Sequence, residues 1–244
     1  MDPHPIVPEP TGAPPFTARG CLDGARLMVP LLPGIVVYGL AFGTASAHRG
    51  MSLGESVGMS AFVYAGASQM VALELWRDGW NAASVGAVAI VTATVNARFV
   101  LMGAAFQPWM RGSPPWRSAI HLFFLVDASW LIGTRYRAEG GRDLGVPFGA
   151  GLLSWVAWVA ATAPGFLAGA LVAEPRRFAL DLVMPIFFAA MAVPLWRGAG
   201  PSGLPWVVAG IVALAVQHLV PGYAFIVAGA LAGALTGGLA RARR

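Results

Sequence analysis

The stretch FVYAGASQMVAL, residues 62–73, places Gly66, Ser68 and Gln69 within an otherwise apolar run. An apolar run of about 20 residues can cross a bilayer, where a buried amide finds no water to bond. Small residues such as Gly66 and Ala67 are common where membrane helices pack, but packing does not require an amide. The stretch therefore predicts a membrane helix that carries one wall of a polar site.

The overall composition is that of a membrane protein. The chain has 244 residues, of which 57% are hydrophobic and 11% are charged, and its mean hydropathy is +0.67. Soluble domains carry about 25% charged residues. All 16 basic residues are arginines, and they flank apolar segments, which favours topology signals over nucleic-acid binding. The single cysteine, Cys21, excludes a disulfide framework and a Cys-rich metal site, and we expect neither a metal nor a cofactor.

Seven apolar segments follow a Pro-rich tail. Residues 1–18 are predicted to be disordered and lack the pattern of a signal peptide, and residues 19–240 are predicted to form a single transmembrane domain. The last segment is too long for one crossing and is divided at Pro221-Gly222, which gives a helical bundle of about eight segments, some broken or re-entrant. The segments are Leu27–Ala47, Gly54–Trp76, Ala83–Phe106, Ser118–Thr134, Pro147–Val172, Leu180–Trp196 and Leu204–Leu239.

The arginines between these segments predict the orientation. With eight crossings, ten arginines share a side with both termini, and five lie on the other side. An excess of arginine marks the cytoplasmic side, so both termini are expected in the cytoplasm. The membrane that the protein spans is expected to be the bacterial inner membrane. The five arginines on the other side are Arg49, Arg111, Arg117, Arg176 and Arg177.

An internal duplication is weakly indicated. Pro33-Gly34 recurs as Pro164-Gly165, and Glu55 and Val57 are matched by Asp181 and Val183. Matches this few are explained as well by chance as by duplication.

Two further sites break the apolar pattern. TATVNARFVLMG, residues 92–103, contains Asn96 and Arg98, and HLFFLVDASWLIG, residues 121–133, contains Asp127. Arg98 and Asp127 lie roughly 12 and 14 Å from the loop that joins their segments, so an ion pair between them is natural. Arg98 could instead snorkel to the surface, and the pair could be structural rather than functional.

Gln69 and Asn96 are predicted to straddle the membrane midplane. Polar helix segments that meet at this depth suit the head group of a small solute. We expect Gln69 and Asn96, with Gly66 and Ser68, to bind the head group. An aliphatic end would then contact Phe62, Met70 and Phe99.

The motifs together resemble the AzlC family, the large subunit of branched-chain amino acid exporters. The resemblance is carried by PGIVVYGLAFGTAS, FVYAGASQMVALELW, TVNARFVLMGAAFQPW and FLVDASW, in that order, and GASQ and N-x-R are its most specific elements. It implies export of valine, leucine, isoleucine and sometimes methionine, driven by protons, with a small membrane partner of the AzlD type.

The energy source is constrained by what the sequence lacks. No phosphate-binding loop occurs, so the resemblance to a transporter implies coupling to an ion or substrate gradient. Glu55, Asp127, Asp181 and His218 are the groups suited to carry a proton, with Asp127 the best placed and His218 second.

Two rival functions stay open. The chain could export another small solute, or it could be an intramembrane serine hydrolase that uses Ser68 and His218 as a dyad. The hydrolase is the weaker rival because Gln69 stands where the second glycine of G-x-S-G is expected.

Overall fold

The computed structural model describes residues 13–76, 81–171, 196, 198, 203–220 and 224–242. Within these ranges the regular structure is helical and contains no strand. The helices are α1 (Ala18–Met28), α2 (Leu32–His48), α3 (Leu53–Phe62), α4 (Gly66–Leu75), α5 (Ala82–Phe106), α6 (Pro115–Phe123), α7 (Asp127–Ala138), α8 (Gly145–Leu171), α9 (Leu204–Leu219) and α10 (Ala224–Ala242).

Among the described residues, three helical stretches are long and apolar enough to cross a membrane: Ala18–His48, Ser84–Phe106 and Gly145–Leu171. They correspond to the predicted first, third and fifth segments. The last predicted segment is divided into α9 and α10, as expected, although Pro221-Gly222 lies outside the described residues. So does the predicted segment Leu180–Trp196, apart from its last residue.

The described residues form two compact units. The first unit contains residues 13–35 and 98–157, and the second unit contains residues 36–97 and the described part of 158–242. The boundaries fall inside α2, α5 and α8 rather than in linkers.

The predicted segment Gly54–Trp76 is a helical hairpin, which we call the first hairpin (α3 and α4). A straight helix of this length would separate its ends by about 33 Å. Instead, Arg49 beside the start of α3 forms an ion pair with Glu74 at the end of α4, with Nη2 2.5 Å from Oε2. The reversal occurs at residues 63–65, where Tyr64 has a φ of 45°. This left-handed conformation is rare for a bulky residue and is held by the surrounding structure.

The predicted segment Ser118–Thr134 is a second hairpin (α6 and α7). Its two ends also lie side by side: the Trp109 indole donates to the Arg142 carbonyl at 2.9 Å, and the Trp109 ring lies 6.2 Å from that of Tyr136. The reversal at residues 124–126 lies against α8, where the Phe124 carbonyl approaches Gly151 so closely that a side chain there would overlap it.

These two hairpins break the predicted segments. The two ends of each lie side by side, so neither predicted segment is one straight helix. The predicted broken segments are thus present at both places, and the number of membrane crossings stays a prediction. A hairpin followed by one long helix occurs twice in succession, as α3–α4–α5 and α6–α7–α8.

Small residues join the long helices within the second unit. An added Cβ at Gly43 would overlap the Thr162 carbonyl, and the Thr44 hydroxyl donates to the Gly165 carbonyl at 2.9 Å. In the α9–α10 pair, an added Cβ at Gly229 would lie 2.9 Å from the Ala213 Cβ. These contacts are the close backbone approaches that membrane helices use in place of hydrophobic burial.

The end of the tail is fixed to the first unit, contrary to the predicted disorder up to residue 18. Thr17 caps α1 by accepting from the Gly20 N–H at 2.9 Å. Its own N–H donates to Asp143 at 3.1 Å, and its hydroxyl also bonds that carboxylate. The Leu144 N–H donates to the Pro15 carbonyl at 2.9 Å. Residues 1–12 lie outside the described part of the chain.

Candidate functional site

Gln69 lies just beyond the turn of the first hairpin and is completely buried. Its Oε1 accepts a hydrogen bond from the Ala65 N–H at 3.2 Å. This bond orients the amide and turns Nε2 away from the backbone. Nε2 has no hydrogen-bond partner among the described residues. A buried donor left without a partner costs about 1–3 kcal/mol.

Ser68 connects the hairpin to α5. Its hydroxyl donates to the Ala65 carbonyl at 2.9 Å and accepts from Asn96 Nδ2 at 3.1 Å. The second bond fixes the Asn96 amide and leaves its Oδ1 buried and without a partner in the described structure. The site therefore presents one unpaired donor, on Gln69, and one unpaired acceptor, on Asn96.

Gly66 has a structural role in this site. An added Cβ would lie 2.9 Å from side-chain atoms of both Tyr38 and Trp158, so the start of α4 can approach these rings only with glycine. Those rings pack edge to face, with centroids 5.1 Å apart. The glycine thus allows the turn of the hairpin to sit deep enough to bury Gln69.

The residues predicted to contact an aliphatic group differ in their surroundings. Phe62 is 82% exposed, whereas Met70 is buried in the core. Phe99 lines a cavity of about 840 Å³ in its own unit. Their contact with a substrate side chain stays a prediction.

Arg98 and Asp127 are brought together within the first unit. Arg98 Nη2 lies 3.1 Å from Asp127 Oδ2, and about a third of each side chain remains exposed. The guanidinium also lies 5.1 Å from the centre of the Phe99 ring. Asp127 is the first residue of α7, where the partial positive charge of a helix N-terminus stabilises a carboxylate. Arg98 Nε is buried without a hydrogen-bond partner in the described part of the chain.

His218 does not join either group. It lies in the last turn of α9 with an exposed side chain. The described hydrogen bonds of Ser68 go to Ala65 and Asn96, so the Ser68–His218 dyad is not formed. Across the described residues, no group of three or more His, Cys, Asp or Glu side chains could hold a metal ion.

Comparisons with known proteins give one family and several membrane proteins. The family model described as AzlC protein matches residues 30–172. The inner membrane protein YgaZ of Escherichia coli is 25% identical over 94% of the chain and 93% of its own length. The branched-chain amino acid transport protein AzlC of Bacillus subtilis is 27% identical over 69% of the chain and 65% of its own length.

A third relative, an uncharacterised membrane protein of Archaeoglobus fulgidus, is 29% identical over 86% of the chain and 90% of its own length. No solved structure matches the chain. The long apolar helices and these relatives make the protein an integral membrane protein and confirm the predicted all-α fold class.

Proposed function

Because the chain belongs to the AzlC family, we propose that it is a secondary transporter that exports branched-chain amino acids across the inner membrane. Valine, leucine and isoleucine are the expected substrates, with methionine as a further candidate. The name of the Bacillus subtilis relative supports this substrate class. The family and its named relative support a role in membrane transport, whereas the substrates and the direction of transport are what we propose.

The observation that carries the proposal is the pair of unpaired amide groups. An amino acid presents an anionic carboxylate and a cationic ammonium group. The free Gln69 Nε2 suits the carboxylate, and the free Asn96 Oδ1 suits the ammonium group. Each bond would pair a polar atom that is otherwise buried alone, and bonds to charged groups are worth about 1.5–3 kcal/mol. Ser68 holds the Asn96 amide in its orientation.

The Arg98–Asp127 pair is the proposed point of proton coupling. The pair is stable when both groups are charged, and a proton on Asp127 weakens its attraction for Arg98. Arg98 is two residues beyond Asn96 on α5. A movement of the part of α5 that carries Arg98 would therefore also displace the Asn96 amide. His218 is the second candidate for coupling, and its exposure makes it the weaker one.

The two hairpins change the proposed topology but preserve the orientation. If neither hairpin crosses and the remaining predicted segments do, both termini share a side with eleven arginines, and four lie opposite. The split is stronger than that of the eight-crossing arrangement and supports cytoplasmic termini. The four opposite arginines are Arg49, Arg77, Arg176 and Arg177.

Reporter fusions test this topology. A reporter inserted after Gly112 and one at the C-terminus should give cytoplasmic signals, because residues 107–114 share a side with the N-terminal tail; an added Cβ at Gly112 would lie 3.2 Å from Ala13 Cα. A reporter at Gly50 should give the opposite signal. Opposite signals from Gly112 and the C-terminus would restore the eight-crossing arrangement.

A small membrane subunit of the AzlD type is the proposed partner. The family resemblance motivates it, and α5 offers apolar side chains that are unpacked in the described structure, among them Ile90, Val100 and Leu101. The small residues Gly229 and Gly233 of α10, whose spacing would suit a partner helix, pack against α9 instead. Full export by the chain alone in liposomes would rule out the requirement.

The decisive experiment measures transport directly. Efflux of labelled valine, leucine and isoleucine should be followed in cells and proteoliposomes that contain the chain, with and without a co-expressed small membrane protein of the AzlD type. Export of these three amino acids over other small solutes supports the proposal, and export of a different solute replaces it. The serine hydrolase predicts that Ser68→Ala abolishes proteolysis of a membrane substrate, whereas the transporter predicts no proteolysis by the wild type.

A further inference from the structure

We infer that an apolar cavity beside Ser68 receives the substrate side chain and determines which amino acids are carried, an inference that rests on the proposed function. The cavity lies between the first hairpin and α5 and has a volume of about 480 Å³. On the hairpin it is lined by Met59, Val63, Ser68 and Ala72. Ser68 is also the residue that holds the Asn96 amide, so the cavity adjoins the head-group site.

The opposite wall is one face of α5. Val85, Val88, Ala89, Thr92 and Ala93 line the cavity, at the spacing of three and four residues that places side chains on one side of a helix. Asn96 continues the same row, three residues beyond Ala93. A single helical face therefore carries both the amide of the head-group site and the wall of the cavity.

The chemistry of the walls selects an uncharged, apolar group. The lining contains aliphatic side chains with two hydroxyls, from Ser68 and Thr92, and no ionisable residue. A charged substrate side chain would lose its hydration here without gaining a partner. The volume falls in the range of about 300–1,000 Å³ that is usual for small-molecule sites.

Ala89 and Ala93 set the width of this cavity. They lie one turn apart on α5, and both are small where the neighbouring lining residues Val85 and Val88 are branched. Valine at either alanine position would add two methyl groups to the cavity. Because one methylene changes selectivity by about 10–200-fold in hydrophobic sites, the larger substrates should be affected first.

Competition transport with mixed labelled amino acids tests the inference. Ala89→Val and Ala93→Val should lower transport of leucine and methionine relative to valine by about tenfold. Val88→Ala should do the reverse and improve methionine relative to valine. Ala87→Val is the matched control, since it adds the same groups on the other side of the same helix and should keep the wild-type ratio.

The outcomes separate this inference from the proposed function. If the wild type transports no amino acid, the proposed function fails. If the wild type transports amino acids, Gln69→Ala weakens all of them equally and the cavity variants retain the wild-type ratio, the cavity is not the side-chain site. Retained valine transport shows that each variant is folded. If the Ala→Val variants do not fold, Val88→Ala still tests the inference, because it shortens a side chain and enlarges the cavity.

Discussion

The two hairpins use the same backbone device for different chemistry. In each, the second and third residues of the second helix are Ala-Ser, and only the first residue differs. It is Gly66 in α4 and Asp127 in α7. Each serine hydroxyl donates to the carbonyl three residues earlier, at 2.9 Å from Ser68 and 3.0 Å from Ser129. The difference lies in what accepts the N–H group of the residue before the helix.

In the second hairpin, Ser129 also accepts the Val126 N–H, at 2.9 Å. In the first, Gln69 accepts the equivalent Ala65 N–H. Ser68 is thereby free to accept from Asn96. The Gln69 amide thus leaves the first hairpin with uncharged polar groups that are available for binding. In the second hairpin, the Ser129 hydroxyl is used within the turn, and Asp127 forms a charged pair with Arg98. We interpret the first as the binding element and the second as the coupling element.

The largest effect is expected from the charges of the second hairpin. Removing one partner of a buried pair costs roughly 3–5 kcal/mol, and partial exposure of Arg98 and Asp127 places this pair near the lower value. Asp127→Asn keeps the shape but removes the titrating group. We expect a folded protein that exchanges substrate yet ignores a pH gradient, measured as counterflow and as ΔpH-driven efflux in the same liposomes.

The double variant Asp127→Asn with Arg98→Gln distinguishes coupling from a static bridge. A static bridge predicts that the single variant is poorly expressed and that the double variant regains normal pH-driven export. That result would remove the functional difference between the hairpins and direct attention to His218.

A smaller effect is expected at the neutral hairpin. Gln69→Ala removes the proposed bond to the charged head group, and since such a bond is worth about 1.5–3 kcal/mol, apparent affinity should fall about ten- to a hundredfold. The pH dependence should be unchanged. Gln217→Ala, at an exposed amide on α9, is the control in the same concentration series. Unaltered affinity of Gln69→Ala would show that the buried amide serves the fold alone.

The packing of the first hairpin should be sensitive to a single methyl group. Gly66→Ala places a Cβ against Tyr38 and Trp158 and should lower the free energy of unfolding by about 1–3 kcal/mol. Gly58→Ala in α3 is the matched control, because an added Cβ there meets nothing within 4 Å. Thermal unfolding in detergent compares the two. Equal unfolding temperatures would mean that the close approach at Gly66 does not position the hairpin.

The smallest effect is expected where the first hairpin meets the surface. Arg49 and Glu74 are both exposed, and exposed pairs contribute about 0.2–1 kcal/mol. Glu74→Gln should therefore change stability by less than 1 kcal/mol and leave transport intact. A large loss, measured by the same thermal unfolding, would show that this pair holds the hairpin closed.

The third segment can be predicted from the sequence almost to the residue, since Ala83–Phe106 is expected and α5 is Ala82–Phe106. Its apolar length determines it. The first helical stretch, in contrast, begins at Ala18 rather than at the predicted Leu27. The hairpins could not be predicted in the same way, because Gly54–Trp76 is as apolar as a crossing helix and contains no proline. Its reversal depends on a strained Tyr64 and on ring contacts made by Gly66.

The signals that could have revealed the hairpins were present in the sequence. Ala67-Ser68 recurs as Ala128-Ser129, each five residues after a phenylalanine, and the arginine split improves when both segments are treated as non-crossing. The candidate residues Ser68, Gln69 and Asn96 were identified from polarity alone. The way in which Ser68 joins Asn96 to the hairpin, and the cavity beside it, needed the tertiary arrangement.

The attachment of Thr17 to Asp143 constrains the order in which the chain can assemble. The two residues are 126 positions apart, so the tail has no docking partner until the ribosome has passed the second hairpin. At about 5–20 residues per second, this interval lasts roughly 6–25 s. Until Asp143 is synthesised, α1 has only its local cap, the Gly20 N–H donating to the Thr17 hydroxyl, and Thr17 lacks the carboxylate that fixes it to the rest of its unit.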